Sequence, residues 1–184
     1  MAHARTSRTR RVVAFLAAAC CVLVADQATK AWVRSALELG GERKVLLPGV
    51  MDLLWVENTG AAFSIGEGAG GVFVVIALAV FAVLLALVLR ERTMPVWLAA
   101  LLGTVAGGGV GNMVDRLVKG SVTDFLATSF IDFPVFNVAD IFVTCGIVIV
   151  FVAFLRMDDE EDDADGGADA DATTGEASQA GEKS

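Results

Sequence analysis

Residues 121–155 read SVTDFLATSFIDFPVFNVADIFVTCGIVIVFVAFL. From Ile141 to Leu155 no charged residue interrupts the run. With Ala139 and Asp140 ahead of it, the segment 139–155 approaches the ~20 residues that a helix needs to cross a ~30 Å hydrocarbon layer. Asp140 therefore stands at the doorway of a span, and Asp124 stands a short loop ahead of it. An aspartate at the centre of a membrane helix costs roughly 2.5–3.5 kcal/mol, and less near the interface. Ionisable groups in such places usually face a bundle interior or a wet cavity and mark function.

The rest of the chain supports the same solvent assignment. Three more apolar segments precede this one, at 12–33, 71–89 and 95–114. None alternates as a barrel strand does, so helices are the remaining way to satisfy the backbone in lipid. The 184 residues fit one domain, 55 % of them are apolar, and the mean hydropathy is +0.66. The formal charge of −8 is misleading. From Asp158 onward the chain carries 11 acids and one lysine, which leaves 11 acids and 13 bases in the body, about +2. The expected organisation is a membrane domain over 1–157 and a disordered, acidic cytoplasmic tail over 158–184, too poor in apolar groups to fold. Cys20, Cys21 and Cys145 all lie in apolar runs and read as small helix residues.

Arginine and lysine set the orientation. Arg5, Arg8, Arg10 and Arg11 precede the first span, Arg90 and Arg92 fill the short link between the second and third, and Arg156 follows the fourth. Both termini are therefore expected in the cytoplasm, with loops 35–70 and 115–138 outside. Arg34, Arg43, Lys44, Arg116 and Lys119 lie in or beside those loops, so the bias is moderate. The stretch RTRRVVAFLAAACC also has the layout of a lipoprotein leader with Cys20 as acceptor, but the apolar run continues through Val24 and Ala17 stands where leucine is usual. A retained first span is the expectation. In the first outer loop, Pro48-Gly49 is turn punctuation, Val50–Val56 reads as a strand and Ala61–Ile65 as its return. The fold class is thus an all-α integral membrane protein of four transmembrane helices with a small outer sheet. Gly103, Gly107 and Gly111 recur every four residues in the third span, which suits close helix approach. GGGVGN lacks the Lys-Ser/Thr of a phosphate loop and lies within an apolar span.

The polar residues near the outer interface carry the chemistry. They are Asp26, Lys30, Asn58, Asn112, Asp115, Arg116, Asp124, Asn137 and Asp140. The only histidine is His3, which argues against Ser-His-Asp and Cys-His centres, and no HExxH is present. Asp26 and Lys30 share a helix face and read as an ion pair or as part of a site. Asp115 and Arg116 read as a solvated helix end, or Arg116 as a grip on substrate carbonyls. Asn137 reads as the cap of the fourth helix and Asp140 as a first-turn acid. Alternatively, Asp124 and Asp140 form a pair that shares one proton, one acid and one base, able to drive water onto an amide.

Five blocks, in order, resemble the lipoprotein signal peptidase (signal peptidase II) family: DQATK at 26–30, ENTGAAFS at 57–64, GGGVGNMVDRL at 107–117, VTDF at 122–125 and FNVAD at 136–140. The resemblance covers about Val12 to Leu155. It implies an intramembrane aspartic endopeptidase that cuts diacylglyceryl-modified prolipoproteins before the lipidated cysteine. It implies Asp124 and Asp140 as the catalytic dyad, Asn58, Asn112, Arg116 and Asn137 as substrate-binding residues, and Asp26, Lys30, Asp115 and Gly60 as support. It further implies an extracytoplasmic β-cradle with a short amphipathic helix, a site on the outer face of the bacterial cell membrane, no metal or cofactor, inhibition by globomycin-type peptides, and no nucleic-acid partner. Two other readings compete. One is a Ser/Lys peptidase using Ser64 or Ser121 with Lys30 or Lys119. The other is a small transporter or proton relay built on the same aspartates.

Overall fold

The computed structural model describes residues 7–60 and 70–153. The expected strand Ala61–Ile65, together with Ser64, His3, Arg156 and the acidic tail, lies outside the described residues. Helix α1 runs Arg8–Ala36, α2 Gly70–Arg90 and α3 Val96–Lys119, and each is long and apolar enough to cross a membrane. A shorter apolar helix, α4, spans Val138–Ala153. Between these lie strands β1 Lys44–Leu47, β2 Met51–Asn58 and β3 Val122–Thr128. The chain divides into two compact units at Ile147/Val148, and the sheet and all of α1, α2 and α3 belong to the first. The described part of the second is the end of α4, residues 148–153.

Helix α1 buries Phe15, Ala19, Val22, Asp26, Lys30 and Val33, spaced three or four apart along one face. Helix α3 meets that face with its glycines. A methyl group on Gly107 would come within 2.5 Å of the Ala19 carbonyl oxygen, one on Gly103 would overlap the Phe15 backbone, and one on Gly111 would press on the Asp26 carboxylate. The two backbones therefore touch, which is why that column of positions is glycine. On the next face of α3, a methyl on Gly108 would collide with Ala139 of α4. Helix α2 is enclosed only at Val88 and presents Val72, Val75, Leu78, Val83 and Leu87 outward, as a lipid-facing helix does.

Helix α3 ends later than the apolar run suggests. The expected span stopped at Val114, whereas the helix continues to Lys119 and closes at Gly120, whose φ of 79° is left-handed and whose N–H donates to the Arg116 carbonyl. Asp115 and Arg116 are consequently helix residues. The loop expected over 115–138 holds β3, which places Asp124 on a strand. The sheet is antiparallel in the order β1-β2-β3. Val56 pairs with Asp124 and Asn58 with Val122, and a bulge between Leu53 and Val56 re-aims the strand. On its other side β3 makes a two-bond bridge with Phe136, Leu126 and Phe136 each donating to the other's carbonyl at 2.8 and 3.0 Å. That bridge brings the start of α4 to Asp124. Val33 of α1, Leu53 of β2 and Phe125 and Leu126 of β3 form a buried apolar cluster. Full burial of a side chain of this size contributes roughly 1.5–3 kcal/mol.

Candidate active site

Asp124 and Asp140 come from β3 and the first turn of α4 and line one cavity of about 480 Å³. Asp124 is enclosed, at 3 % exposure. Its Oδ1 accepts from Asn137 Nδ2 at 2.7 Å and its Oδ2 from Asn58 Nδ2 at 2.9 Å. Asp140 Oδ1 accepts from Asn112 Nδ2 at 2.8 Å, and its Oδ2 from the Asn137 N–H at 3.0 Å. Asn137 Oδ1 in turn accepts the Asp140 N–H at 3.2 Å, a reciprocal cap at the start of α4. The residue that caps α4 thus also bonds Asp124. Burial pushes the Asp124 carboxyl up to about 6. The Asn58 bond works against that, the nearby Asp140 charge adds to it, and the Asn137 bond and Lys30 oppose it.

The asparagines are themselves fixed. Asn58 Oδ1 accepts the Gly60 N–H at 2.9 Å, an Asx turn at the end of β2. Asn112 Oδ1 accepts from Asn137 Nδ2 at 3.0 Å and from Lys30 Nζ at 2.8 Å. Arg116 also lines the cavity, donating to the Gly60 carbonyl at 2.7 Å and to the Asn112 carbonyl at 3.3 Å, with its guanidinium 4.9 Å from the Phe73 ring centroid. Its Nε is buried without a hydrogen-bond partner among the described residues, a donor available to a bound carbonyl.

Next to the two aspartates lies an enclosed charge cluster. Lys30 and Asp26 are fully buried and pair at 2.8 Å, and Lys30 lies 3.2 Å from Asp115. Asp26 Oδ1 accepts the Ala139 N–H at 3.1 Å, and Asp115 Oδ2 accepts the Thr123 N–H at 3.2 Å. Each carboxylate thus holds the residue immediately before Asp140 or Asp124. Arg34 and Lys119 approach Asp115 at 3.8 and 3.9 Å. Glu57 accepts from Trp55 Nε1, Thr123 and Ser121 and pairs with Lys119. Burial works to raise the Glu57 carboxyl, but those hydrogen bonds and Lys119 outweigh it and hold it below its ordinary value.

All of the sequence-derived candidates except Gly60 line the cavity or join this network by side-chain bonds, and Gly60 joins through its backbone. The Ser121–Lys119 alternative does not assemble: Ser121 Oγ donates to Glu57, and Lys119 is engaged by Thr123, Glu57 and Asp115. Sequence reasoning missed the apolar wall formed by Phe133, Pro134, Val135 and Phe136 with Ile141, Thr144 and Cys145 of α4. The run FPVF between the two aspartates was the available signal. Among the described residues no group of three or more His, Cys, Asp or Glu side chains is arranged to hold a metal ion.

Residues 18–156 match the family model described as signal peptidase (SPase) II. A lipoprotein signal peptidase of Nostoc punctiforme is 44 % identical over 128 residues, covering 70 % of this chain and 80 % of the relative. Those of Lactococcus lactis and Streptococcus pyogenes are 37 % and 34 % identical, covering 72 % and 73 % of this chain and 87 % and 88 % of theirs. Two bacterial membrane enzyme structures, solved by the in meso method at 2.3 and 1.9 Å resolution, superpose with TM-scores of 0.74 and 0.70. Their identities are 25 % and 26 %, and they cover 85 % and 77 % of this chain and 93 % and 92 % of the solved chains.

Proposed function

This chain belongs to the signal peptidase II family, and on that premise we propose that Asp124 and Asp140 are the pair with which it removes signal peptides from diacylglyceryl-modified prolipoproteins. The chain is a membrane-embedded aspartic endopeptidase of the lipoprotein-processing type. The observation that carries the dyad assignment is the convergence of two carboxylates, from a strand and a helix start, on one cavity, joined by the Asn112 and Asn137 amides.

In the proposed reaction one carboxylate takes a proton from water as its oxygen attacks the scissile carbonyl carbon. The other carboxyl gives its proton to the carbonyl oxygen. Collapse of the tetrahedral adduct breaks the C–N bond, the departing nitrogen receives the proton first taken from water, and the oxygen's proton returns to the dyad. Arg116 and Asn58 hold substrate carbonyls, and the apolar wall of Phe133, Phe136 and Ile141 lies beside the lipid-modified side chain. Lipid anchoring fixes the depth of the substrate, so proximity supplies much of the rate.

The proposed topology has four spans, with both termini in the cytoplasm and the site outside. Arg11 on α1 donates to the Arg92 carbonyl in the α2–α3 link, which supports one basic end, while the sheet and the dyad gather toward the other end of α1 and α3. The proposed domain is 1–157, with 158–184 as an appended tail. Globomycin-type peptides would compete by filling the cavity. The test is cleavage of a lipid-modified prolipoprotein beside its unmodified precursor by the purified chain in detergent. Product from the modified form alone supports the reading; equal cleavage of both forms would count against lipid-dependent recognition.

A further inference from the structure

Lys30 has no exposure, and its three N–H groups meet three acceptors: Asp26 Oδ2 at 2.8 Å, Asp115 Oδ2 at 3.2 Å and Asn112 Oδ1 at 2.8 Å. Two of these are ion-pair partners. The third is a neutral amide, and it is the one that leads to the dyad. If the Asn112 amide were reversed, its NH₂ would face the Lys30 ammonium and the Asn137 NH₂, donor against donor, and its oxygen would face the Asp140 carboxylate. The ammonium therefore locks the amide, and Asn112 Nδ2 has to donate to Asp140.

We propose that Lys30 is a positioning residue for the reaction, its ammonium turning the Asn112 amide so that Asp140 rests as the carboxylate and the shared proton rests on Asp124. This rests on the dyad reading above. Both oxygens of Asp140 accept donors of fixed direction, the locked amide and a backbone N–H, which favours its carboxylate; Asp124 accepts two amide donors as well, so burial and the helix start decide between them. Asp140 also stands in the first turn of α4, where the helix favours negative charge, and is only half-buried. Asp124 is enclosed, and Asn137 Nδ2 gives it one N–H while its other N–H goes to Asn112 Oδ1. Burial therefore opposes charge more at Asp124 than at Asp140. The charged groups around Asp140 are Asp124 on β3, Arg116 on α3 and, through Asn112, Lys30 on α1. Lys30 itself faces Asp26 and Asp115, and Arg34 and Lys119 also approach Asp115.

The test is the pH profile of kcat/KM on a lipid-modified prolipoprotein. Lys30→Met alone would strand the Asp26 charge, so the variant is Asp26→Asn with Lys30→Met, its folding checked by a thermal transition. Losing the amide lock removes the directed donor that favours the Asp140 carboxylate, and losing the cation lets Asp124 hold its proton more tightly, so the pH profile as a whole moves up, by about one pH unit at the acid limb. A uniform fall with both limbs in place would reduce Lys30 to a structural part and overturn the proposal. Should the double variant fail to fold, infrared difference spectra at about pH 5 decide it on proteins that retain Lys30. The protonated-carboxyl band is expected to vanish in Asp124→Asn and persist in Asp140→Asn, and the reverse overturns the proposal. Failure of the dyad reading itself has a different signature: cleavage surviving in either Asn variant.

Discussion

A carboxyl enclosed as Asp124 is holds its proton more tightly than it would in the unfolded chain, at about 6 against an ordinary 3.8. The sign of the linkage follows. Between those two values the folded state binds more protons than the unfolded one, so the contribution to stability is complete below about pH 4 and is lost as pH rises through about 6. The loss is about 3 kcal/mol. Asp124→Asn should therefore flatten the pH dependence of the melting temperature between pH 4 and 6, and an unchanged slope would place the titration elsewhere. In wild-type protein, the alkaline limb of kcat/KM for lipid-modified substrate, which reports the free enzyme, should fall near pH 6. The two aspartates were legible in the sequence because each is a charge beside an apolar run in a chain with one histidine. Their partners were legible only as polar residues near one interface. That Asn112 and Asn137 are each bonded to both the other and a carboxylate depends on which way three elements face, which spacing along one element does not encode.

At the scale of the element, the helices were readable from length and apolarity, and their ends were not. Helix α3 runs on to Lys119 because its last turn is held by ion pairs and closed by Gly120, features outside the apolar run. Strand β3 escaped notice because VTDFLAT is short and its two faces are both covered, so no alternation shows. The glycine column was legible as a packing motif, and the structure separates its members. Gly107 abuts the Ala19 carbonyl, whereas nothing lies within 4 Å of where a Gly109 side chain would begin. Gly107→Val should push α1 from α3, lowering the thermal midpoint by several degrees and cleavage at least tenfold. Gly109→Ala, two residues on, should leave both within about the scatter expected of surface changes. Equal effects at the two sites would mean that the α1–α3 contact is looser than described.

Over the whole molecule, the charge count that makes this chain look acidic belongs to its last residues, and the body that carries the site is slightly basic. Ending the chain after Met157 should therefore leave cleavage of lipid-modified substrate within about twofold, since the tail is too polar to bury a core. A large loss would give the tail a role in the reaction. The membrane character, the four apolar segments and the grouping of polar residues on one side were all legible, because lipid imposes length and polarity rules that a single chain must obey. The bridge between β3 and Phe136, which brings the two aspartates together, was not, since it joins a strand to an irregular segment through backbone bonds alone.

The most direct measurement on the dyad is a single-turnover cleavage assay with lipid-modified prolipoprotein and three proteins: wild type, Asp124→Asn and Asp140→Asn, each shown to be folded by its thermal transition. Both substitutions replace a carboxyl by an amide of nearly the same shape, so they remove the proton chemistry and spare the packing. Product from wild type, with a loss of at least about a thousandfold in each variant, is the expected result. Cleavage at near wild-type rate by either folded variant would contradict the account.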